Sequence, residues 1–83
     1  MISFPLNKEC EDPSRDVISF PAINNNIKCA ISREAINDHF GGISDILNTF
    51  KANRSTIEAK AISLIQKGRY EPDGSILIRT ADF

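Results

Sequence analysis

The chain predicts an α+β two-layer sandwich: a small, mainly antiparallel sheet covered by helices on one face, in the order β-β-α-α-(α)-β. Three observations carry this reading. Apolar residues alternate with period two on both sides of Asn24-Asn25-Asn26. From Ser32 to Lys67 the apolar spacing becomes helical, with a three-to-four residue repeat. After Pro72-Asp73-Gly74 the run Ile76-Leu77-Ile78 returns to strand character. With 83 residues, 41% of them hydrophobic, the chain is long enough for one small core, so residues 1–83 read as a single domain. That composition excludes a disordered tail and a disulfide-dense scaffold, and it leaves little room for a deep substrate pocket.

The first strand runs over Asp16–Ala22, with Ile18, Phe20 and Ala22 on one face. Pro21 puts its end at a sheet margin, because proline cannot donate to a ladder. Three asparagines make the turn, since asparagine tolerates positive φ. Ile27, Cys29 and Ile31 alternate on the return strand. The tetrapeptide Ile-Ser-Phe-Pro stands at Ile2–Pro5 and again at Ile18–Pro21, so the N-terminal arm, residues 1–14, is a candidate for an extra edge strand. Four residues are too few to argue a duplication.

Ser32 is a good N-cap for a short helix that buries Ile36 and Phe40, and Gly41-Gly42 ends it. A second helix starts near Ile43, where Ile43, Ile46, Leu47 and Phe50 form one stripe. The stripe continues through Ile57, Ala61, Leu64 and Ile65, interrupted by Arg54. A straight helix from Ile43 to Lys67 would be about 37 Å long, wider than a domain of this size. A break near Asn53-Arg54 is therefore expected, with Ser55-x-x-Glu58 as a capping box for the next helix. Gly68 closes that helix, and the last strand spans Ser75–Thr80.

The ordered set Ile18-Ser19-Phe20-Pro21-Ala22, Cys29-Ala30-Ile31-Ser32-Arg33-Glu34-Ala35-Ile36, Asp38-x-Phe40-Gly41, Phe50-x-x-Asn53-Arg54-x-x-Ile57-Glu58-x-x-Ala61 and Asp73-Gly74-x-Ile76 resembles a family of small bacterial proteins known only as a domain of unknown function, DUF 1488. The resemblance runs from Arg15 to Ile78. It implies a split β-α-β type of fold in a bacterial, cytoplasmic setting, and it brings no activity or site residue with it.

The residues by themselves offer little catalytic chemistry. His39 is the sole histidine, and Asp38 beside it diverges on a helix, so neither a metal site nor a nucleophile–base pair is expected. No glycine-rich phosphate loop is present, and no cofactor is expected. Cys29 falls on an apolar strand face, while Cys10 stands among Glu9, Glu11 and Asp12, a setting that disfavours a thiolate. Two such thiols suit a reducing cytoplasm. The N-terminal stretch lacks the charge and apolar core of a secretory leader, and no segment is apolar enough for a membrane span.

Arg54 has two readings. The structural one packs its stem on the core and bonds its fork to helix-end carbonyls or to a carboxylate such as Asp16 or Asp45. The functional one makes Arg54, Ser55 and Thr56 a clamp for a small anion. Net charge is −1, but Lys51 to Arg69 holds five basic residues and one acidic. Lys51, Lys60, Lys67 and Arg69 form a candidate nucleic-acid ridge, otherwise a solvated helix face. Phe4, Phe20, Phe40 and Phe50 read as core, which leaves only Tyr70 and Phe83 for stacking on bases. The expectation is a non-catalytic interaction or regulatory module with a protein partner or a second copy of itself. Nucleic-acid binding at the ridge and anion binding at Arg54 are the alternatives.

Overall fold

In a computed structural model, which describes residues 2–5, 8–22, 26–41 and 44–83, the alternating segments form strands β2 (Val17–Ser19) and β3 (Cys29–Ser32). They pair antiparallel with Ile18 opposite Ile31. The same register continues past β2, where Phe20 N–H donates to the Cys29 carbonyl at 2.8 Å and Ala22 bridges to Ile27. Pro21 falls between these two donors, where its nitrogen points away from β3 and its missing N–H removes no hairpin bond. Asn26 takes φ +52°, as the turn reading required. Asn24 and Asn25 of that turn lie outside the described residues.

The arm does supply an edge strand, though not from Ile2–Pro5. Strand β1 is Cys10–Asp12, antiparallel to β2 with Glu11 opposite Ile18. Ile2 and Phe4 pack against the core instead, with the Phe4 and Phe20 rings 5.7 Å apart. Asp12 accepts both the N–H and the hydroxyl of Ser14, which shapes the β1–β2 turn. Asp16 closes it at φ +54°, and its carbonyl accepts the Arg33 N–H at 2.8 Å.

That bond leads into helix α1 (Arg33–Phe40), whose N-cap Ser32 accepts the Ala35 N–H at 3.0 Å. Gly41, at φ +73°, ends it by donating to the Asn37 carbonyl. Helix α2 (Ile46–Ala52) starts three residues later than its apolar stripe predicts, because Asp45 supplies the cap and accepts the Asn48 N–H at 3.2 Å. Gly42 and Ile43 lie outside the described residues. The expected break is present: Asn53 separates α2 from α3 (Arg54–Gln66). The Asn53 amide donates back to the Thr49 carbonyl at 2.9 Å, closing α2 and leaving α3 without a side-chain cap. Helix α3 begins one residue before Ser55, so the predicted capping box is not used. A straight helix of about 37 Å would exceed the 32 Å long axis of the molecule.

Gly68 (φ +71°) terminates α3, and Glu71–Gly74 forms a turn into strand β4 (Ile76–Ile78). The sheet order is β1-β2-β3-β4, with β4 parallel to β3. The parallel strands are direct neighbours, so the split β-α-β arrangement implied by resemblance gives way to an unsplit crossover with an antiparallel hairpin beside it. Helices α1, α2 and α3 lie within that crossover. Ile18, Phe20, Ile31, Ile76 and Ile78 meet Ile36, Phe50, Ile57, Ala61 and Leu64 in one core cluster, the Phe20 and Phe50 rings 5.1 Å apart. Strand alternation turns Ser19, Ala30, Ser32 and Leu77 to the opposite face. After β4 a 3-10 turn (Thr80–Asp82) returns to α1, where the Thr80 hydroxyl donates to Asp38 at 3.2 Å. No helix among the described residues is long and apolar enough to cross a membrane.

Both cysteines are free: Cys10 is exposed, and burial pushes the Cys29 thiol up to about 11. A disulfide-exchange reagent at about pH 8 is expected to titrate one thiol at once and the second only on unfolding. Two fast thiols would contradict the burial of Cys29. Phe50→Ala is expected to cost about 3–5 kcal/mol in urea denaturation, because it empties the centre of the core.

Candidate functional site

Arg54 sits at the α2–α3 break with its guanidinium 5.4 Å above the Phe50 ring. Its fork is taken up by Glu9 from the arm and by Glu58 one turn along α3. Neither Asp16 nor Asp45, the partners suggested by sequence, is engaged with it; Asp45 caps α2 instead. The Glu9 side chain is only 3% exposed and that of Arg54 17%, so the pair is a half-buried tie between arm and helix. Ser55 and Thr56 are exposed and line a shallow groove along α3 with Ala59, Lys60 and Ser63.

The basic ridge divides. Lys60 places its ammonium 5.4 Å from the Phe83 ring, and Arg69 reaches Asp82 at 3.5 Å. Both therefore help hold the C-terminal turn. Phe83 also stacks on His39 at 4.2 Å, and His39 Nε2 donates to the Thr80 carbonyl at 3.2 Å. Lys51 is exposed on α2, and Lys67 is exposed at the end of α3.

The face of the sheet away from the helices holds residues that sequence reasoning missed. Ser19, Ala30 and Ser75 floor a concavity of about 440 Å³, bordered by Lys8, Arg15, Lys28, Pro21, Asp12 and Asp73. A second concavity of about 370 Å³ lies over Val17, Ser32 and Leu77, with Arg79 at its margin. Arg15 lines both. Val17 and Ala30 are buried yet stand apart from the main core cluster, as expected for residues on the other side of the sheet. Alternation in β2 and β3 contained this signal, but only the register brings β2, β3 and the start of β4 together.

The tie has a defined response to acid. Burial alone would raise the Glu9 pKa, but the Arg54 hydrogen bond and charge outweigh it and hold the carboxyl below its ordinary value. The same partner raises Arg54. Because Glu9 is depressed in the folded state, the stabilisation is complete above the unfolded pKa of about 4.3 and fades as pH falls through the folded value. Glu9→Gln is expected to lose about 1.5–3 kcal/mol near neutral pH, the range of a charged hydrogen bond. Urea denaturation at about pH 7 and about pH 3 should show the gap to wild type closing in acid; a gap independent of pH would contradict the tie.

A family model described as a protein of unknown function (DUF1488) matches residues 2–78. Among solved structures, the chain is similar to the crystal structure of a protein of unknown function from the DUF1488 family of Shewanella loihica PV-4, determined at 1.60 Å resolution. The TM-score is 0.78 at 23% identity, covering 93% of this chain and 90% of that one, a likeness that shows the shared fold. No curated protein matches the chain. The resemblance first seen between Arg15 and Ile78 thus extends back through the N-terminal arm, and the chain belongs to the DUF1488 family.

Proposed function

We propose that the chain is a non-catalytic interaction or regulatory module of the bacterial cytoplasm that takes a protein partner on the uncovered face of its sheet. The observation that carries this reading is the one-sided cover. The helices bury one face in a continuous core, while the other presents two concavities, both lined by Arg15 and floored by Ser19, Ala30, Ser75, Val17 and Leu77. Such a floor gives a partner close approach to the strands without a deep cavity.

Residue types suited to chemistry are committed elsewhere. His39 is bound to Thr80 and stacked on Phe83, Glu9 is tied to Arg54, and the Cys29 thiol is buried and held protonated near neutral pH. Two free thiols also suit a reducing compartment. Lys60 and Arg69 of the ridge already serve the C-terminal turn, which weakens the nucleic-acid reading.

The test is partner capture from native cell extract at low and high salt. Wild type is compared with Ser19→Trp, which fills the concavity, and with the double variant Lys60→Glu/Lys67→Glu, the folding of each being checked separately. Capture is expected to be lost in the tryptophan variant and kept in the charge variant. Nucleic acid retained at low salt and lost in the charge variant would move function to the ridge.

A further inference from the structure

The register of the sheet arranges the charges of the uncovered face by strand end. The middle of that face is a row of Cys10, Ser19, Ala30 and Leu77, each paired with the next across the strands. On either side of this row the sign inverts along three strands. Lys8 precedes β1 and Asp12 ends it; Lys28 precedes β3 and Glu34 follows it; Asp73 precedes β4 and Arg79 follows it. The end nearer the β2–β3 hairpin therefore carries Lys8, Lys28 and Asp73 around the larger concavity. At the opposite end Asp12 pairs with Val17 in register, and Glu34 and Arg79 border the smaller concavity. Arg15 lines both concavities and its charge acts on Asp73 of the same chain, so it is shared between the two ends.

We infer that the occupant of this face is a second copy of the chain, packed sheet on sheet about a two-fold axis that runs across the strands. The inference rests on the docking reading above and names the partner. A two-fold interface has to be its own complement, and this face meets that condition. The axis turns each strand end onto the opposite end of the same strand in the other copy. Lys8 then faces Asp12 of the second copy, Lys28 faces its Glu34, and Asp73 faces its Arg79. Arg79 already holds Glu71 at 2.6 Å and gains a second carboxylate. The middle row meets itself, with serine on serine and alanine on alanine, where neither charge nor bulk is opposed. Stacked sheets lie about 10 Å apart, a gap that a lysine or arginine spans when it reaches towards a carboxylate. A wholly acidic or wholly basic partner would meet like charge at one end of each of these three strands, which disfavours it.

The experiment is sedimentation of the whole chain from micromolar to millimolar concentration, with amide shifts of the labelled chain followed over the same range. Wild type is expected to pass from monomer to dimer, with shifts at Lys8, Ser19, Lys28 and Ala30. Lys28→Glu and Glu34→Lys change exposed residues at opposite ends of β3. Each alone sets like charges together at two symmetric contacts and is expected to weaken the dimer about tenfold or more. An equal mixture of the two variants is expected to recover the wild-type association as heterodimers, because unlike charges meet again at both contacts. The dilute spectrum of each variant confirms its fold. A chain that stays monomeric at millimolar concentration would overturn the inference and leave the docking face to another protein, which the Ser19→Trp capture decides. A dimer indifferent to both variants, or a mixture that associates no better than either alone, would also overturn it. Concentration-dependent shifts confined to α3 would overturn the inference and remove the docking face itself.

Discussion

A single crossover governs the architecture of this protein. Parallel pairing of β3 and β4 demands a connection that leaves one end of the sheet and re-enters at the opposite end, and α1, α2 and α3 are all spent on it. The apolar side chains of the strands therefore point to one helical layer. The antiparallel partners β1 and β2 extend the sheet beyond the crossover without bringing a helix to the other side. One face is buried because the crossover passes over it, and the other is left with serine, alanine, valine and leucine. The surface proposed for binding is thus a consequence of topology.

Confining the crossover to this small sheet requires a bend, and the bend has its own chemistry. Asn53 closes α2 on the Thr49 carbonyl, and Arg54 then opens α3 with its guanidinium over Phe50. Glu9 reaches the same guanidinium from the arm, so the tie that stabilises the helix junction also fixes the segment leading into β1. Phe4 and Phe20 continue this contact into the sheet through ring-to-ring packing. An arginine on an apolar stripe here joins three parts of the fold. Its charge is satisfied by two carboxylates, which makes it a poor place for an external anion.

What was legible in the sequence was local. Ser32 as a cap, Gly41 and Gly68 as helix ends, Pro72-Asp73-Gly74 as a turn, and the Ile18–Ile31 hairpin all follow from residues within a few positions of one another. Strand β1 was harder to place because Cys10-Glu11-Asp12 has no apolar alternation; pairing with β2 makes it a strand. Glu9 and Arg54 are 45 residues apart, and no spacing rule connects them. The candidate site lies at the same limit. Lys8, Arg15, Lys28 and Ser75 are scattered through the chain, and the sheet register gathers them.

The surface proposed for a partner is the uncovered sheet face, and not the helical layer. Amine-reactive labelling of the lysines in the presence and absence of native cell extract tests it most directly. Lys8 and Lys28 border the open face, whereas Lys51, Lys60 and Lys67 belong to the helices or their ends. Lys8 and Lys28 are expected to be protected by the extract, with labelling of the three helical lysines unchanged. Protection of Lys51, Lys60 and Lys67 with Lys8 and Lys28 still fully labelled would contradict it.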